Sequence, residues 1–199
     1  CQKEGSYLCQ DCQSTIEISE QSYCLCPEPV RLPEAGKCQK CKNKSLNGLY
    51  FGTTYQNNLI KKLIHHFKYE PFIKEMKGIL AGLIKDSLAL IGKEKTDFAD
   101  FLIIPLPLDL KRLKWRGFNQ AEEIGKELSN FLEIPMFSDV LLKIRPTHPQ
   151  VELSGLEREE NIKGVFLVGN LEKIKGRKIL LVDDIYTTGA TMEEVAKIL

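Results

Sequence analysis

The sequence predicts an α/β protein: a mostly parallel sheet flanked by helices in residues 45–199, behind a small cysteine-rich head in residues 1–44. Short, unbroken apolar runs at 101–104 and 179–182 are typical of strands buried on both faces of a parallel sheet. Segments with apolar residues at helical spacing alternate with these runs, as in α/β folds. All seven cysteines lie in the head, and this segregation predicts the domain boundary.

The composition is that of an ordinary globular protein. The 199 residues carry a formal net charge of +1 and 43% are hydrophobic, which argues against disorder and against a globally basic, nucleic-acid-binding chain. No apolar run approaches the roughly 20 residues of a transmembrane helix, and no signal-peptide core is present at the N-terminus. We therefore expect a cytoplasmic protein without membrane insertion. Because the sequence starts at Cys1 and stops inside a predicted helix, we expect it to be part of a longer chain.

The head is predicted to bind metal. It contains two Cys-x-x-Cys knuckles and one tighter Cys-x-Cys pair. A knuckle places two thiolates on one tetrahedral ion, and so short and polar a segment needs zinc or disulfides to hold it together. The absence of a secretion signal favours structural zinc. Two sites are expected: Cys1, Cys9 and Cys12 with an upstream partner in one, and Cys24, Cys26, Cys38 and Cys41 in the other.

The first elements of the body follow directly. Residues 46–55 look like β structure leading out of the head, and apolar spacing predicts a helix at 59–67. This helix would turn four of its polar residues towards water: Lys61, Lys62, His65 and Lys68. The next predicted elements are a helix at 72–88, a strand at 101–104, a helix at 121–132, and strands at 140–142 and 165–168.

A basic and aromatic segment follows the strand at 101–104. Four cations are interleaved with two aromatic residues there: Lys111, Arg112, Lys114 and Arg116 with Trp115 and Phe118. Such a segment can bind the phosphates of a small ligand, or track a nucleic-acid strand through its phosphates and by base stacking. The alternative is a solvated basic loop with one anchoring tryptophan.

A long polar stretch, residues 145–161, follows the strand at 140–142. Long loops inside a compact domain are usually functional or disordered. The composition of this one suits an anion-binding lid that would keep water away from a reactive sugar cation. The residues concerned are Arg145, Thr147, His148, Gln150, Ser154, Arg158 and Asn161.

The last strand is followed by a candidate ligand-binding loop. Asp183 and Asp184 stand at its carboxyl end, and Thr191 with Glu194 indicates a capping box that would start a helix at Met192. Backbone N–H groups at a helix start and loop hydroxyls can cradle a phosphate, and carboxylates beside them suit sugar hydroxyls or hydrated Mg²⁺. The alternative is an ordinary strand–turn–helix unit without a ligand.

The run Val182-Asp-Asp-Ile-Tyr-Thr-Thr-Gly-Ala-Thr191 resembles the loop by which type I phosphoribosyltransferases hold phosphoribosyl pyrophosphate. Together with the cysteine knuckles, the whole chain resembles the ComF family of late competence proteins, although the Cys24-x-Cys26 pair differs from that family's usual Cys-x-x-Cys. The other motifs that carry the resemblance are Ile104-Pro-Leu-Pro107, Arg112, Arg116-Gly-Phe-Asn-Gln120, and Arg145, Thr147, Gln150, Leu153, Arg158 and Asn161.

The resemblance implies a double zinc ribbon fused to a type I phosphoribosyltransferase domain in a cytoplasmic bacterial protein. It implies a role in natural transformation, on incoming single-stranded DNA beside the DNA-uptake helicase and channel. If the domain is an enzyme, Asp183 and Asp184 would be catalytic and hold the ribose, and Mg²⁺ would assist pyrophosphate departure. The remaining implied contacts are Thr187, Thr188, Gly189, Ala190 and Thr191 on the 5′-phosphate, Arg112, Lys114 and Arg116 on pyrophosphate, and Arg145 and Arg158 in the lid.

Two other functions stay open at the level of sequence. A non-catalytic module could keep the fold as a platform and bind single-stranded DNA with the head and the segment Lys111–Phe118. A nucleobase-salvage phosphoribosyltransferase is less favoured, because the cysteine-rich head would be superfluous for salvage. The sequence does not identify an acceptor.

Overall fold

The computed structural model describes residues 6–145 and 162–199. The head contains α1 (Gln10–Ser14), the antiparallel pair β1 (Ser22–Tyr23) and β2 (Arg31–Leu32), and a short 3-10 helix at Gln39–Cys41. A small apolar cluster of Cys24, Leu25 and Cys41 fills it, with Leu46 and Leu49 packed against them. So small a core supports the expectation that the head needs a further staple.

The body alternates helices and strands. Its helices are α2 (Asn58–Lys68), α3 (Met76–Leu90), α4 (Leu110–Arg116), α5 (Gln120–Leu132) and α6 (Ala190–Ile198). Its strands are β3 (Phe101–Pro105), β4 (Leu141–Lys143), β5 (Phe166–Val168) and β6 (Lys178–Val182). Short 3-10 helices lie at Lys95–Phe98 and Leu171–Lys173. No helix among the described residues is long and apolar enough to cross a membrane.

The predicted α/β class is confirmed. β3 and β6 pair in parallel with Phe101 opposite Lys178 and Pro105 opposite Val182, and Met136 adds a parallel bridge on the other side of β3. β4 and β5 pair antiparallel. Every residue of β3 after the first is buried, as its unbroken apolar sequence predicts.

Side chains of β3 alternate between two cores. Ile103 points to a core that it shares with the apolar faces of α2, α3 and α5. Leu102 and Ile104 point to the opposite core, which contains residues of β4, β5 and α6. The sheet is therefore covered on both faces, and its polar loops are confined to the strand ends.

Side-chain caps fix where three of the helices begin. The Asn57 side chain accepts hydrogen bonds from the first-turn amides of α2, and Asp109 and Asn119 do the same for α4 and α5. The last cap matters for the site, because Asn119 Nδ2 also donates to the Leu106 carbonyl and so holds α5 against the loop after β3.

Two expectations about local structure were wrong. Residues 46–55 form no strand; their polar groups bond to the head instead, with Ser19 N donating to the Gly52 carbonyl at 2.8 Å. The last helix begins at Ala190 with Gly189 as N-cap, not at Met192 behind a Thr191 capping box. Glu194, the expected partner in that box, instead accepts a hydrogen bond from Gly164 N at 3.1 Å.

Candidate functional site

The carboxyl ends of β3 and β6 lie side by side and bring two polar segments together. The Leu106 amide donates to the Val182 carbonyl at 2.9 Å, so the two strands leave the sheet at the same level. The acid pair, Asp183 and Asp184, follows β6, and the basic helix α4 follows β3. Ligands of parallel α/β sheets bind at this edge.

Asp183 is half-buried at the carboxyl end of β6. Burial raises its pKa to about 8, and the neighbouring carboxylate of Asp184 contributes in the same direction. Its Oδ1 accepts a hydrogen bond from the Asp184 amide at 2.8 Å, which holds the carboxylate against the backbone at the end of β6. A carboxyl group with so perturbed a pKa beside a second one marks a candidate site.

Lys68 reaches the acid pair from another element. Its Nζ lies 2.9 Å from Oδ1 of Asp184, with side-chain exposures of 21% and 8%. The expectation that Lys68 faces water was therefore wrong, and its place in the site was not predicted from the sequence. A signal was available, because Lys68 follows Ile60 and Ile64 at intervals of four residues and so continues the buried face of α2.

Arg116 faces the same edge. Its Nη1 donates to Gln120 Oε1 at 2.9 Å, and its guanidinium lies 5.7 Å from the ring centre of Tyr69 and 6.0 Å from that of Trp115. Its Nε is buried and has no hydrogen-bond partner among the described residues. Burial lowers its pKa, an effect that the charge of Asp184 opposes. A half-buried guanidinium with an unused donor is suited to an anionic ligand.

The other predicted cations are placed differently. Arg112 lies against its helix cap, with Nε 3.4 Å from Asp109 Oδ2, whereas Lys111, Lys114 and Arg145 are exposed. Lys143, which was not predicted as a site residue, is half-buried. Burial and the charge of Arg112 lower its pKa, while Asp109 and Asp183 oppose this. The other lid residues, Thr147, His148, Gln150, Ser154, Arg158 and Asn161, lie outside the described residues.

The two aromatic residues of the basic segment differ in exposure. Trp115 is 53% exposed, while Phe118 is 9% exposed and packs against Phe67 at 5.4 Å between ring centres. Phe118 therefore offers no free ring face, although Lys74 Nζ lies 5.9 Å from its centre. Tyr69 is 43% exposed and lies 6.3 Å from Trp115, so it supplies a second aromatic side chain at this surface.

The loop between β6 and α6 is tightly folded. Gly189 has φ +75°, and a Cβ there would overlap the hydroxyl and ring of Tyr186. Thr188 Oγ1 accepts a hydrogen bond from the Ala190 amide at 3.4 Å. Thr187 is exposed, while Thr188, Ala190 and Thr191 are half-buried around the start of α6. Only glycine provides both the space and the left-handed backbone that this turn requires.

Four head cysteines form a quartet suited to one metal ion. The sulfurs of Cys24, Cys26, Cys38 and Cys41 all lie within 4.8 Å of one another, with 3.6 Å between Cys26 and Cys38 and 3.7 Å between Cys38 and Cys41. A tetrahedron with Zn–S bonds of about 2.3 Å separates its sulfurs by about 3.8 Å. The quartet is the grouping that the sequence predicted, so these four residues could hold a structural metal such as zinc.

Backbone amides support the thiolate form of this quartet. Val30 N and Cys38 N donate to the sulfurs of Cys24 and Cys41, each at 3.2 Å. Hydrogen bonds, of which the one from the Cys41 backbone has the largest effect, lower the pKa of Cys38. Burial and hydrogen bonds with the other thiols raise the pKa of Cys26 to about 12. All four thiols cannot ionise together without a cation, so metal binding would release protons.

The other predicted metal ligands lie apart from the quartet. Cys9 is the N-cap of α1 and Cys12 lies in its first turn; the two hydrogen-bond to each other, which lowers the pKa of Cys9 and raises that of Cys12. Cys1 lies outside the described residues. Whether Cys9 and Cys12 share a metal with Cys1 therefore stays a prediction.

Comparisons with known proteins agree with this architecture. The family model described as "Phosphoribosyl transferase domain" matches residues 117–199. The chain is 30% identical to Competence protein ComFC of Streptococcus pneumoniae over 98% of this chain and 82% of that protein. It is 27% identical to DNA utilization protein YhgH of Salmonella typhimurium over 96% of this chain and 90% of that protein.

Other relatives match over a shorter region. Competence protein F of Haemophilus influenzae is 38% identical over 98 residues, which are 49% of this chain and 43% of that protein. No solved structure matches.

The fold and the site define a phosphoribosyltransferase-domain protein with a cysteine-rich head that could bind metal. The match to Competence protein ComFC along nearly the whole chain then identifies the protein family. The chain belongs to the ComF family of competence proteins, and a competence-related role follows.

Proposed function

We propose that the edge formed by β3 and β6 binds phosphoribosyl pyrophosphate with Mg²⁺. The observation that carries this proposal is the convergence of the buried acid pair with Lys68 and Arg116, from three separate segments. Asp183 and Asp184 would meet the ribose hydroxyls, and residues 187–191 would wrap the 5′-phosphate. Arg112, Lys114 and Arg116 would meet the pyrophosphate, with Arg145 and Arg158 in the lid.

In a transfer reaction, the bond between C1 of the ribose and the pyrophosphate oxygen would break while a nucleophile bonds to the opposite face of C1. Mg²⁺ would neutralise charge on the departing pyrophosphate. Arg116 would stabilise the same developing charge from an enclosed position, where such an interaction is stronger than in water. No described residue identifies the acceptor, so the proposal concerns the donor site.

Calorimetric titration with phosphoribosyl pyrophosphate and Mg²⁺ tests the donor site. We expect micromolar binding by the metal-loaded chain and its loss in Asp184→Asn. Asp86→Asn is the matched control, because Asp86 is an exposed carboxylate on α3. Absence of binding by the folded, unsubstituted protein would refute the donor site and leave the fold as a platform.

We propose zinc as the metal of the cysteine quartet. Four thiolates in a closed tetrahedral arrangement, supported by backbone amides, are typical of structural zinc sites. The role would be structural, because a closed site leaves no position for a substrate. Cys9 and Cys12, with Cys1, would belong to a second site.

A second candidate function is single-stranded DNA binding during natural transformation, beside the helicase and channel of the uptake machinery. The observation that favours it is the pair of exposed aromatic residues, Tyr69 and Trp115, next to the exposed Lys111 and Lys114. Bases stack on aromatic rings without sequence preference, and lysines hold the phosphates. This surface lies beside Arg116, so it adjoins the proposed donor site.

Fluorescence titration with single-stranded DNA tests this surface. We expect Trp115→Ala combined with Lys111→Ala to weaken DNA binding and reduce its salt dependence, while phosphoribosyl pyrophosphate binding persists. Tyr69→Ala should weaken DNA binding in the same way, and Tyr55→Ala, an exposed tyrosine elsewhere, should not. Asp184→Asn should leave DNA binding mostly intact; if any folded variant loses both ligands, the two sites are not separate.

A further inference from the structure

We propose that the metal-loaded head positions the β6–α6 loop (residues 183–189) for its ligand, through Tyr186 and Glu193. This inference rests on the proposed phosphoribosyl pyrophosphate site. Two sets of contacts join the head, and the two residues directly after it, to the loop and to the first turn of α6. Both begin within a few residues of the cysteine quartet.

The first contact is made between Tyr186 of the loop and the carbonyl of Leu25 in the head. Leu25 stands between two of the quartet's cysteines, Cys24 and Cys26, and is fully buried. Its carbonyl accepts a hydrogen bond from Lys44 Nζ at 2.6 Å and a longer one from Tyr186 Oη at 3.5 Å. A metal ion that fixes both flanking cysteines also fixes the direction of this carbonyl.

Tyr186 transmits this position to the turn of the loop. Its ring and hydroxyl occupy the space where a side chain at residue 189 would lie, so Gly189 packs directly on it. Gly189 is the N-cap of α6, and the amides that follow it are the proposed phosphate donors. Displacement of Tyr186 would therefore change the geometry of the phosphate cradle.

The second contact is stronger and acts on α6 itself. The carboxylate of Glu193 accepts hydrogen bonds from Ser45 N at 2.6 Å and Leu46 N at 3.3 Å. These amides follow Lys44, so one short segment holds both Leu25 and Glu193. A cavity of about 310 Å³ between head and loop is lined by Lys44, Thr188, Gly189 and Ala190 among others, which places the head directly beside the cradle.

The arrangement has a thermodynamic consequence. If the metal orders the loop, the loop's ligand must strengthen metal binding by the same factor, because coupling between two sites is reciprocal. We expect coupling on the order of tenfold, which lies within the range of about 5- to 150-fold for such linkages. A head that served only as a separate module would show no coupling.

The test uses the full chain in zinc-loaded and metal-free forms. Calorimetry with phosphoribosyl pyrophosphate and Mg²⁺ should give about tenfold weaker binding without zinc, the factor expected for such coupling. Competition with a chromophoric chelator should show zinc held tighter by the same factor when phosphoribosyl pyrophosphate is present. Equal affinities in both forms would overturn the inference.

Glu193→Ala separates coupling from loss of folding. It keeps the quartet and the Tyr186–Leu25 contact but removes both hydrogen bonds that Glu193 accepts from Ser45 and Leu46, so we expect unchanged zinc content, weaker ligand binding and a clearly reduced coupling factor. Glu194→Ala is the matched control, since Glu194 is the neighbouring carboxylate of the same helical turn and accepts from Gly164 instead. Tyr186→Phe should reduce the coupling partially, with Tyr55→Phe as its control. If Glu193→Ala behaves like Glu194→Ala, the inference fails.

Hydrogen exchange distinguishes failure of this inference from failure of the donor site. Amides of residues 185–191 should exchange faster in the metal-free chain and in zinc-loaded Glu193→Ala, with no ligand present. If phosphoribosyl pyrophosphate does not bind but these amides respond to zinc, the proposed ligand is wrong and the positioning stands. If the amides do not respond, the positioning is refuted whatever binds.

Discussion

Lys68 Nζ lies 2.9 Å from Oδ1 of Asp184, so the last residue of α2 neutralises one of the two carboxylates that follow β6. Both side chains are largely buried, where an unpaired charge is costly. Asp183, whose pKa is raised to about 8, is mostly protonated at neutral pH, so Lys68 pairs with the carboxylate of Asp184. The pair also connects the end of α2 to the proposed ligand site after β6.

Replacing Lys68 by methionine should destabilise the fold in a pH-dependent way. The substitution leaves a buried carboxylate without its partner, at a cost of about 3 kcal/mol near pH 8. At pH 5 the cost should be smaller, because the acid pair can take up a proton. Urea denaturation at both pH values measures this; Lys62→Met, on the exposed side of α2, should change stability by less than about 0.5 kcal/mol. A loss that grows as the pH falls would contradict the pairing.

Asp183 should make stability fall as the pH rises. Its pKa is about 8 in the folded chain and near the ordinary value of 3.8 in the unfolded chain. Between these values the folded state holds a proton that the unfolded state has lost, so this group's contribution to stability declines from about pH 4 to pH 8. Denaturation midpoints across this window should show the decline. Asp183→Asn should flatten it and Asp86→Asn should preserve it; an identical slope in both variants would contradict the assignment.

Gly189→Ala should disrupt the β6–α6 loop. Alanine at φ +75° costs about 1 kcal/mol in backbone strain, and its Cβ would also displace the Tyr186 ring. Gly176→Ala isolates the strain, since Gly176 has φ +71° and nothing lies within 4 Å of an added Cβ. Thermal unfolding and phosphoribosyl pyrophosphate titration should show a larger loss for Gly189→Ala. Equal losses would show that contact with Tyr186 is unimportant.

Cys41→Ser should remove the metal of the quartet. Cys41 is buried and contacts Cys38, so the substitution leaves three ligands in a site built for four. We expect reduced zinc content and early unfolding of the head, measured by metal analysis and by hydrogen exchange of residues 22–41. Cys9→Ser, outside the quartet, should leave exchange in that segment unchanged. Full zinc retention by Cys41→Ser would contradict the grouping.

Local patterns were sufficient for the elements and for the chemistry of single segments. Unbroken apolar runs predicted β3 and β6, and helical spacing predicted α2 and α5. These predictions were possible because the spacing of apolar residues reflects which face of an element is buried. The acid pair at the end of β6 and the cysteine quartet were likewise predicted, since each depends on short spacings. The predicted starting residues of helices were less accurate. Helix α6 begins at Ala190, because Gly189 serves as its N-cap in a left-handed conformation.

The sequence by itself determined the fold class, the strand ends at which a ligand would bind and the four cysteines that lie together. Only the tertiary structure brought Lys68 to Asp184, set Tyr69 beside Trp115, buried Phe118 against Phe67 and joined Glu193 to Ser45. The physical reason is that periodicity records whether a side chain is buried, whereas its partner depends on how distant segments pack. Residues 46–55 illustrate this, because their backbone bonds to the head where a local pattern predicted a strand.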